Sequence, residues 1–321
     1  MSKLTNTTLF TALVTPFNED GTIDYLSLDS LIEKQVQAGN GLLLIGSTGE
    51  GLALTTQEKL ALLQHVCEQN LSVPILVGVG GFQLEETLHW LKACEALPID
   101  GYLLVTPIYA RPGPQGQVKW FHKLLDAVSK PCMLYNVPAR TGCSLEIEVL
   151  KRLKNHPNLW ALKEASGSID QFRAYQNAAP EIALFCGNDD LMPILAKEGA
   201  KGLVSVMANV WPQATSHYLQ LSLQKKITTD SALLPAIRSV NNRNPVSVKV
   251  LLHALNQIDN SQLRAPLSEE DGSSPEELLE KHLEVERWMQ AIPSPITTQF
   301  QQNSDLESNI STPSSEVQPP K

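Results

Sequence analysis

GYLLVTPIYARPGPQGQVKWFHKLLDAVSKPCMLYNVP, residues 101–138, is the stretch on which the fold turns. It opens on one apolar run, Gly101–Pro107, and closes on another, Pro131–Pro138. Both runs are continuously apolar rather than alternating, which is the pattern of strands buried on both faces of a parallel sheet. Between them Phe121, Leu124, Leu125 and Val128 recur at helical spacing. Strand, amphipathic helix and parallel strand make one βα unit and the start of the next.

The same unit repeats in both directions. Upstream lie LFTALVTPF (9–17), GLLLIGST (41–48) and PILVGVG (74–80); downstream lie LWALKEAS (159–166), IALFCGND (182–189) and GLVSVMAN (202–209). Helical stripes separate them. One is Leu28, Leu31, Ile32 and Val36 with a polar break at Gln35; others are Leu60, Leu63 and Val66, and Leu88, Leu91 and Cys94. Eight such runs predict an α/β protein, a (β/α)8 TIM barrel with a small C-terminal helical region. The competing doubly wound sheet has fewer strands and a glycine-rich fingerprint after the first. Here the first run leads into Thr15-Pro16-Phe17.

These boundaries divide the chain into a barrel (1–225), a helical region (226–292) and a tail (293–321). Within the second, helices are expected over 232–240, 246–258 and 275–292. The last begins at Ser274-Pro275-Glu276-Glu277, with a serine cap, proline at the first position and acids in the first turn. The tail is rich in Ser, Thr, Gln and Pro with little to bury, and disorder is expected there.

Composition narrows the function classes. Of 321 residues, 42% are hydrophobic, enough for a substantial core, and the net charge of −9 excludes the basic stripe of a nucleic-acid partner. Cys67, Cys94, Cys132, Cys143 and Cys186 form no C-x-x-C pair and read as buried thiols in a reducing compartment. Met1–Phe10 lacks the charged and apolar segments of a secretory signal, and no apolar run reaches membrane-spanning length. A cytoplasmic protein is expected. The seven histidines are scattered without an H-E-x-x-H spacing, so neither a metal nor a cofactor is expected. Asp189-Asp190 reads as a pair of solvated loop acids. Gly78-Val79-Gly80-Gly81 lacks the Lys-Ser/Thr of a phosphate loop and reads as a strand end.

Barrel active sites form at the C-terminal ends of the strands. The polar residues there are few, and Lys163 stands out because it interrupts the apolar run Leu159–Leu162. A charged amine is costly to bury. One reading is a structural ion pair, for instance with Glu164, although neighbouring strand residues point to opposite faces. The other is an amine that desolvation favours in its neutral, nucleophilic form. Tyr135 ends the neighbouring run, and Gly46-Ser47-Thr48-Gly49 offers hydroxyls and backbone N–H groups able to hold a carboxylate.

TALVTPF (11–17), GSTGE (46–50), YNVPARTG (135–142), LKEASGSI (162–169), CGNDD (186–190), GLVSVMANV (202–210) and NPVSVK (244–249) together resemble the dihydrodipicolinate synthase and N-acetylneuraminate lyase superfamily. The resemblance runs in order from about residue 8 to 292, with Leu263-Arg264-Ala265-Pro266-Leu267 in register. It implies a barrel whose lysine, here Lys163, forms a Schiff base with pyruvate. Tyr135 would relay protons, Ser47 would link it to solvent, and Tyr109 would complete the relay across a dimer interface. Thr48 would hold the pyruvate carboxylate, and Gly187 and Val204 complete the implied substrate-binding set.

Substrate choice in the superfamily turns on the residue two after the YN-x-P proline, here Arg140. An arginine there implies the synthase branch, which condenses pyruvate with L-aspartate 4-semialdehyde in lysine and diaminopimelate biosynthesis. Bidentate guanidinium–carboxylate pairing supplies the reason. The alternatives are a sibling aldolase or lyase for another 2-keto acid, and a non-catalytic barrel. The resemblance also implies a cytoplasmic homotetramer, a dimer of dimers. Ser47 departs from the threonine usual in synthases but keeps the hydroxyl. Feedback-regulated members bind lysine near a second tyrosine and a Ser-Ala pair. Here Ile108 replaces that tyrosine, and Gly51, Leu52, Thr56 and Lys59 stand at the corresponding loop, so weak or absent lysine inhibition is expected.

Overall fold

A computed structural model describes residues 3–227 and 233–292. Each of the eight apolar runs contributes one strand: β1 (Leu9–Ala12), β2 (Gly41–Leu44), β3 (Ile75–Val79), β4 (Gly101–Val105), β5 (Cys132–Asn136), β6 (Leu159–Glu164), β7 (Ala183–Cys186) and β8 (Gly202–Ser205). Every neighbouring pair is parallel, and β8 pairs with β1 to close the barrel. A helix follows each strand: α1 (Tyr25–Ala38), α2 (Thr56–Glu68), α3 (Leu84–Glu95), α4 (Pro114–Asp126), α5 (Ile147–Leu153), α6 (Ile169–Ala178), α7 (Met192–Lys197) and α8 (Pro212–Leu223).

Strand parity sorts the side chains. Leu42, Val77, Leu104, Leu134, Leu162 and Leu184 face outward onto the helices. Phe10, Leu43, Leu76, Leu103, Met133, Ala161 and Val204 fill the barrel. Inside the barrel the rings of Phe10, Trp160 and Phe185 meet, two pairs edge-on and one tilted, with centroids 5.5–6.2 Å apart. Each such pair contributes about 0.5–1.5 kcal/mol beyond simple burial. The polar break in the first stripe is also accounted for. Gln35 is fully buried, accepts from Thr11 Oγ1 and Asn40 Nδ2, and donates to the Ala208 carbonyl, tying α1 to β1 and to the segment after β8.

One irregularity sets the geometry of the site. Between β5 and β6 the register slips by a residue: Cys132 lies opposite Leu159, but Met133 lies opposite Ala161. Tyr135 therefore stands beside Lys163. Without the slip it would stand beside Leu162, which points to the helices.

Three helices follow the barrel: α9 (Leu234–Asn241), α10 (Val246–Ala254) and α11 (Pro275–Ala291). The middle one is shorter than expected, because Asn256 takes φ +54° and turns the chain out of the helix. The last starts as read from the sequence, with Ser274 Oγ accepting from Glu277 N and Pro275 at the first position. Ala232 and the expected tail, 293–321, lie outside the described residues.

The structure corrects the reading of Asp189 as a solvated acid. Asp189 is buried, and its Oδ2 accepts from the backbone N–H groups of Val206 and Met207 and from Asn241 Nδ2. Burial raises its pKa, while these hydrogen bonds oppose the rise. It staples the end of β7 to the segment after β8 and to α9. Asp190 pairs with Arg238 at the surface.

Candidate active site

β6 carries Ala161, Lys163 and Ala165 inward, and Lys163 is only 4% exposed. Its Nζ lies 4.3 Å from the centroid of the Tyr135 ring on β5. Among the described residues no ion pair or hydrogen bond occupies this amine. The structural-pair reading with Glu164 is not realised, because Glu164 faces the other way. Its oxygens accept from Asn136 Nδ2 and Ser166 N, both at 2.7 Å. Burial raises the Glu164 pKa against the pull of those two donors.

Gly187 explains how the lysine fits. A Cβ at Gly187 would lie 2.6 Å from Ala165 Cβ and 2.9 Å from Lys163 Cε. Only a residue without a side chain leaves the Lys163 stem its place. Val204 packs in the same interior cluster as Tyr135 and Ala161.

The G-S-T-G-E loop after β2 is tightly wound. Ile45 and Glu50 both take positive φ, at 60° and 52°. Glu50 N donates to the Ser47 carbonyl and Gly51 N to the Gly46 carbonyl. A Cβ at Gly51 would lie 2.1 Å from the Ile45 carbonyl oxygen, so this return of the chain admits only glycine. The turn leaves Ser47 exposed and buries Thr48, whose hydroxyl accepts from Asn244 Nδ2 at 3.0 Å.

A cavity of about 700 Å³ opens beside these groups. Ser47, Tyr135, Val137 and Arg140 line it, together with Leu52, Thr56, Lys59, Phe82 and Trp90. Lys163 is not on its wall but touches Tyr135, which is. Arg140 sits on the short helix Pro138–Thr141 after β5, and its Nη2 donates to the Asn244 carbonyl at 2.9 Å.

Of the residues singled out in the sequence, the structure thus brings Lys163 against Tyr135 and Gly187, sets Ser47, Tyr135 and Arg140 on one cavity wall, joins Thr48 and Arg140 through Asn244, and places Val204 in the interior cluster with Tyr135. It does not bring Tyr109 to that group. Tyr109 is 86% exposed, at φ +63°, with its N–H donating to the Thr141 carbonyl.

Two further groups escaped the reading of the sequence. Asn244 touches both Thr48 and Arg140, linking two strand ends from outside the barrel. Lys249 on α10 is fully buried, with Nζ 2.5 Å from Glu50 Oε1 and 2.9 Å from the Gln262 carbonyl. Both lie in NPVSVK, where the only sign was a lysine inside the apolar run of α10. Burial lowers the pKa of Lys249, and Glu50 pulls against it.

The histidines also meet once. At the amino end, His122, Asp126 and His156 bring their side chains within 4.8 Å of one another. His156 Nε2 pairs with Asp126 and its Nδ1 accepts from Asn158 N, so both its ring nitrogens are engaged. The five cysteines are free thiols, four of them buried, and burial pushes the Cys94 thiol up to about 12.

The model of the dihydrodipicolinate synthetase family matches residues 5–284. A 4-hydroxy-tetrahydrodipicolinate synthase of Francisella tularensis subspecies novicida is 48% identical over 82% of this chain and 90% of that protein. One from Wolbachia pipientis of Culex pipiens is 44% identical over 88% of this chain and 97% of its own length. Among solved structures, the dihydrodipicolinate synthase of Acinetobacter baumannii, complexed with pyruvate, superposes with a TM-score of 0.80. It is 29% identical over 87% of this chain and 98% of that one.

Proposed function

The chain belongs to the dihydrodipicolinate synthetase family, and on that premise we propose that it is a 4-hydroxy-tetrahydrodipicolinate synthase, condensing pyruvate with L-aspartate 4-semialdehyde. The observation that carries this reading is the Lys163 amine, buried in the barrel without a counter-ion among the described residues and set against the Tyr135 ring.

In this mechanism Lys163 Nζ adds to the pyruvate ketone and water leaves, forming an imine. The imine draws electrons from the adjacent methyl group, which gives up a proton and becomes an enamine carbon. That carbon attacks the semialdehyde carbonyl. The semialdehyde's own amine then displaces Lys163 from the imine, closing the ring and restoring the free lysine. Tyr135 moves protons at the imine, with Ser47 at the exposed side of the loop passing them to solvent. The Thr48 hydroxyl and N–H hold the pyruvate carboxylate, and Gly187 and Val204 shape the space beside it. Arg140, on the cavity wall, takes the carboxylate of the semialdehyde as a charge-assisted pair. The product feeds lysine and diaminopimelate synthesis.

Assembly belongs to the same reading. Tyr109 is exposed at positive φ, and Leu52 and Phe82 on the cavity wall are 63% and 55% exposed. They supply an apolar face for a second copy, whose site Tyr109 would enter, within a cytoplasmic homotetramer built as a dimer of dimers. Among the described residues no helix is long and apolar enough to cross a membrane. Lysine feedback is weak or absent, because Ile108, Gly51, Leu52, Thr56 and Lys59 stand on the cavity wall where feedback-regulated members carry their lysine-binding residues. Millimolar L-lysine should leave the steady-state rate unchanged, and a saturating inhibition curve would contradict this.

Borohydride reduction in the presence of pyruvate, followed by peptide mass mapping, tests the mechanism. A reduced pyruvate adduct is expected on the peptide containing Lys163. No adduct, or one elsewhere, would sink it. Coupling to dihydrodipicolinate reductase with L-aspartate 4-semialdehyde as substrate tests the aldehyde.

A further inference from the structure

The G-S-T-G-E loop ends in an acid that faces neither the cavity nor solvent. Glu50 is 5% exposed and both its oxygens are engaged by the C-terminal region. Oε1 lies 2.5 Å from Lys249 Nζ on α10, and Oε2 accepts from the backbone N–H of Arg264 at 2.7 Å. Lys249 also donates to the Gln262 carbonyl. Arg264 in turn reaches the Gly21 carbonyl and Glu58 at the start of α2. Phe17, at the end of the first apolar run, lies between them: Lys249 Nζ is 4.1 Å and Arg264 Cζ 4.7 Å from its ring centroid.

These contacts enclose the loop from its far side. Residue 50 stands at φ +52°, an unfavourable backbone region for a glutamate, so the turn needs support from outside itself. The support comes from residues some 200 positions away in sequence. Thr48 is two residues before Glu50, inside a loop that closes on itself where Glu50 N donates to the Ser47 carbonyl and Gly51 N to the Gly46 carbonyl.

We infer that Lys249 and Glu50 are positioning residues for the pyruvate carboxylate: the buried pair, with Arg264, fixes the loop so that the Thr48 hydroxyl and N–H converge on one point. This rests on the proposed role of Thr48 and assigns the C-terminal helices a part in substrate binding that the barrel alone does not supply. A cradle of backbone and hydroxyl donors works only if the donors are held in place before the anion arrives.

The test uses the full chain and its Lys249→Met variant, assayed well below the variant's own melting midpoint. Borohydride trapping is followed as a function of pyruvate concentration. The variant should need at least about tenfold more pyruvate for half-maximal trapping, with the Lys163 peptide still modified at saturation. Amide exchange should speed up in 46–51 beyond any general increase. Glu50→Gln, which keeps the shape and the acceptor for Arg264 N, should shift half-saturation in the same direction by a smaller factor, and it serves if Lys249→Met does not fold. Unchanged half-saturation alongside a lowered melting midpoint would overturn the inference, leaving the pair a structural one. Absence of any Lys163 adduct in the wild-type chain would instead defeat the proposed mechanism, and the amide-exchange comparison would still report on the loop.

Discussion

Among the described residues two lysines, Lys163 and Lys249, are buried against aromatic rings, and they differ in whether a counter-ion holds them. Lys163, on β6, lies 4.3 Å from the Tyr135 ring centroid with no acceptor on its amine among the described residues. Lys249, on α10, lies 4.1 Å from the Phe17 ring centroid with Glu50 and the Gln262 carbonyl both bound to it. The aromatic contact is common to both; the counter-ion is not. An ammonium locked to a carboxylate and a carbonyl has its donors committed, and adding to a ketone would break both contacts. An amine packed only against carbon and a phenol ring has no such bonds to lose. The comparison teaches that burial alone does not mark a lysine for chemistry; the proposed role of Lys163 rests on burial without a fixed partner among the described residues.

Lys163→Ala should break the comparison most sharply. Turnover should fall by at least about 10³-fold and the borohydride adduct should vanish. The thermal midpoint should hold or rise, since a buried amine without a partner contributes little to folding. Residual trapping at another lysine would show that the two sites had been misassigned.

Lys249→Met should do the converse. It leaves Glu50 buried without its cation, and loss of one partner of a buried pair costs about 3–5 kcal/mol. Denaturant titration should show that loss, and combining it with Glu50→Gln should recover part of it. If the single variant is as stable as wild type, the pair does not hold the loop to the C-terminal helices.

Arg140→Ala sharpens the chemical half. Trapping of pyruvate on Lys163 should persist, while kcat/KM for the semialdehyde falls by about 10–100-fold, the value of a charge-assisted hydrogen bond. Equal loss in both measurements would mean that the contact of Arg140 with Asn244, and through it with Thr48, matters more than the aldehyde carboxylate.

Glu164→Gln should have the smallest effect. The carboxyl adjoins Lys163 in sequence but faces away, so trapping should change by less than about threefold. Its effect is on pH dependence. Because burial raises the folded-state pKa of Glu164, the folded chain keeps this proton to higher pH than the unfolded chain does. That contribution to stability is complete below the ordinary glutamate range and is lost as pH rises through the raised value. Wild type should therefore lose stability across that window, and the glutamine variant should show a shallower slope.

The sequence already carried most of the fold. Most of the eight runs are continuously apolar, as strands buried on both faces require, and their number with the helical stripes between them favoured a closed barrel over an open sheet. Lys163 was legible for the same reason, as a charge where the pattern demands carbon. The same signal stood in VSVKVLLHA, where Lys249 interrupts an apolar helix, and there it was passed over. Asp189 was misread because a short polar loop resembles a solvated one until β8 and α9 are seen packed over it.

Local pattern is written into neighbouring residues, so the sequence by itself determined the barrel, the unusual place of Lys163 in an apolar strand and the turn at G-S-T-G-E. Pairing is decided between residues far apart in the chain. The one-residue slip that sets Tyr135 beside Lys163, the link from Asn244 to Thr48 and Arg140, and the choice of Lys249 rather than Lys163 as the partner of Glu50 exist only once the barrel has closed. Which of two buried lysines holds the Glu50 carboxylate was a decision of the tertiary structure. A carboxylate neutralises only the amine it can touch.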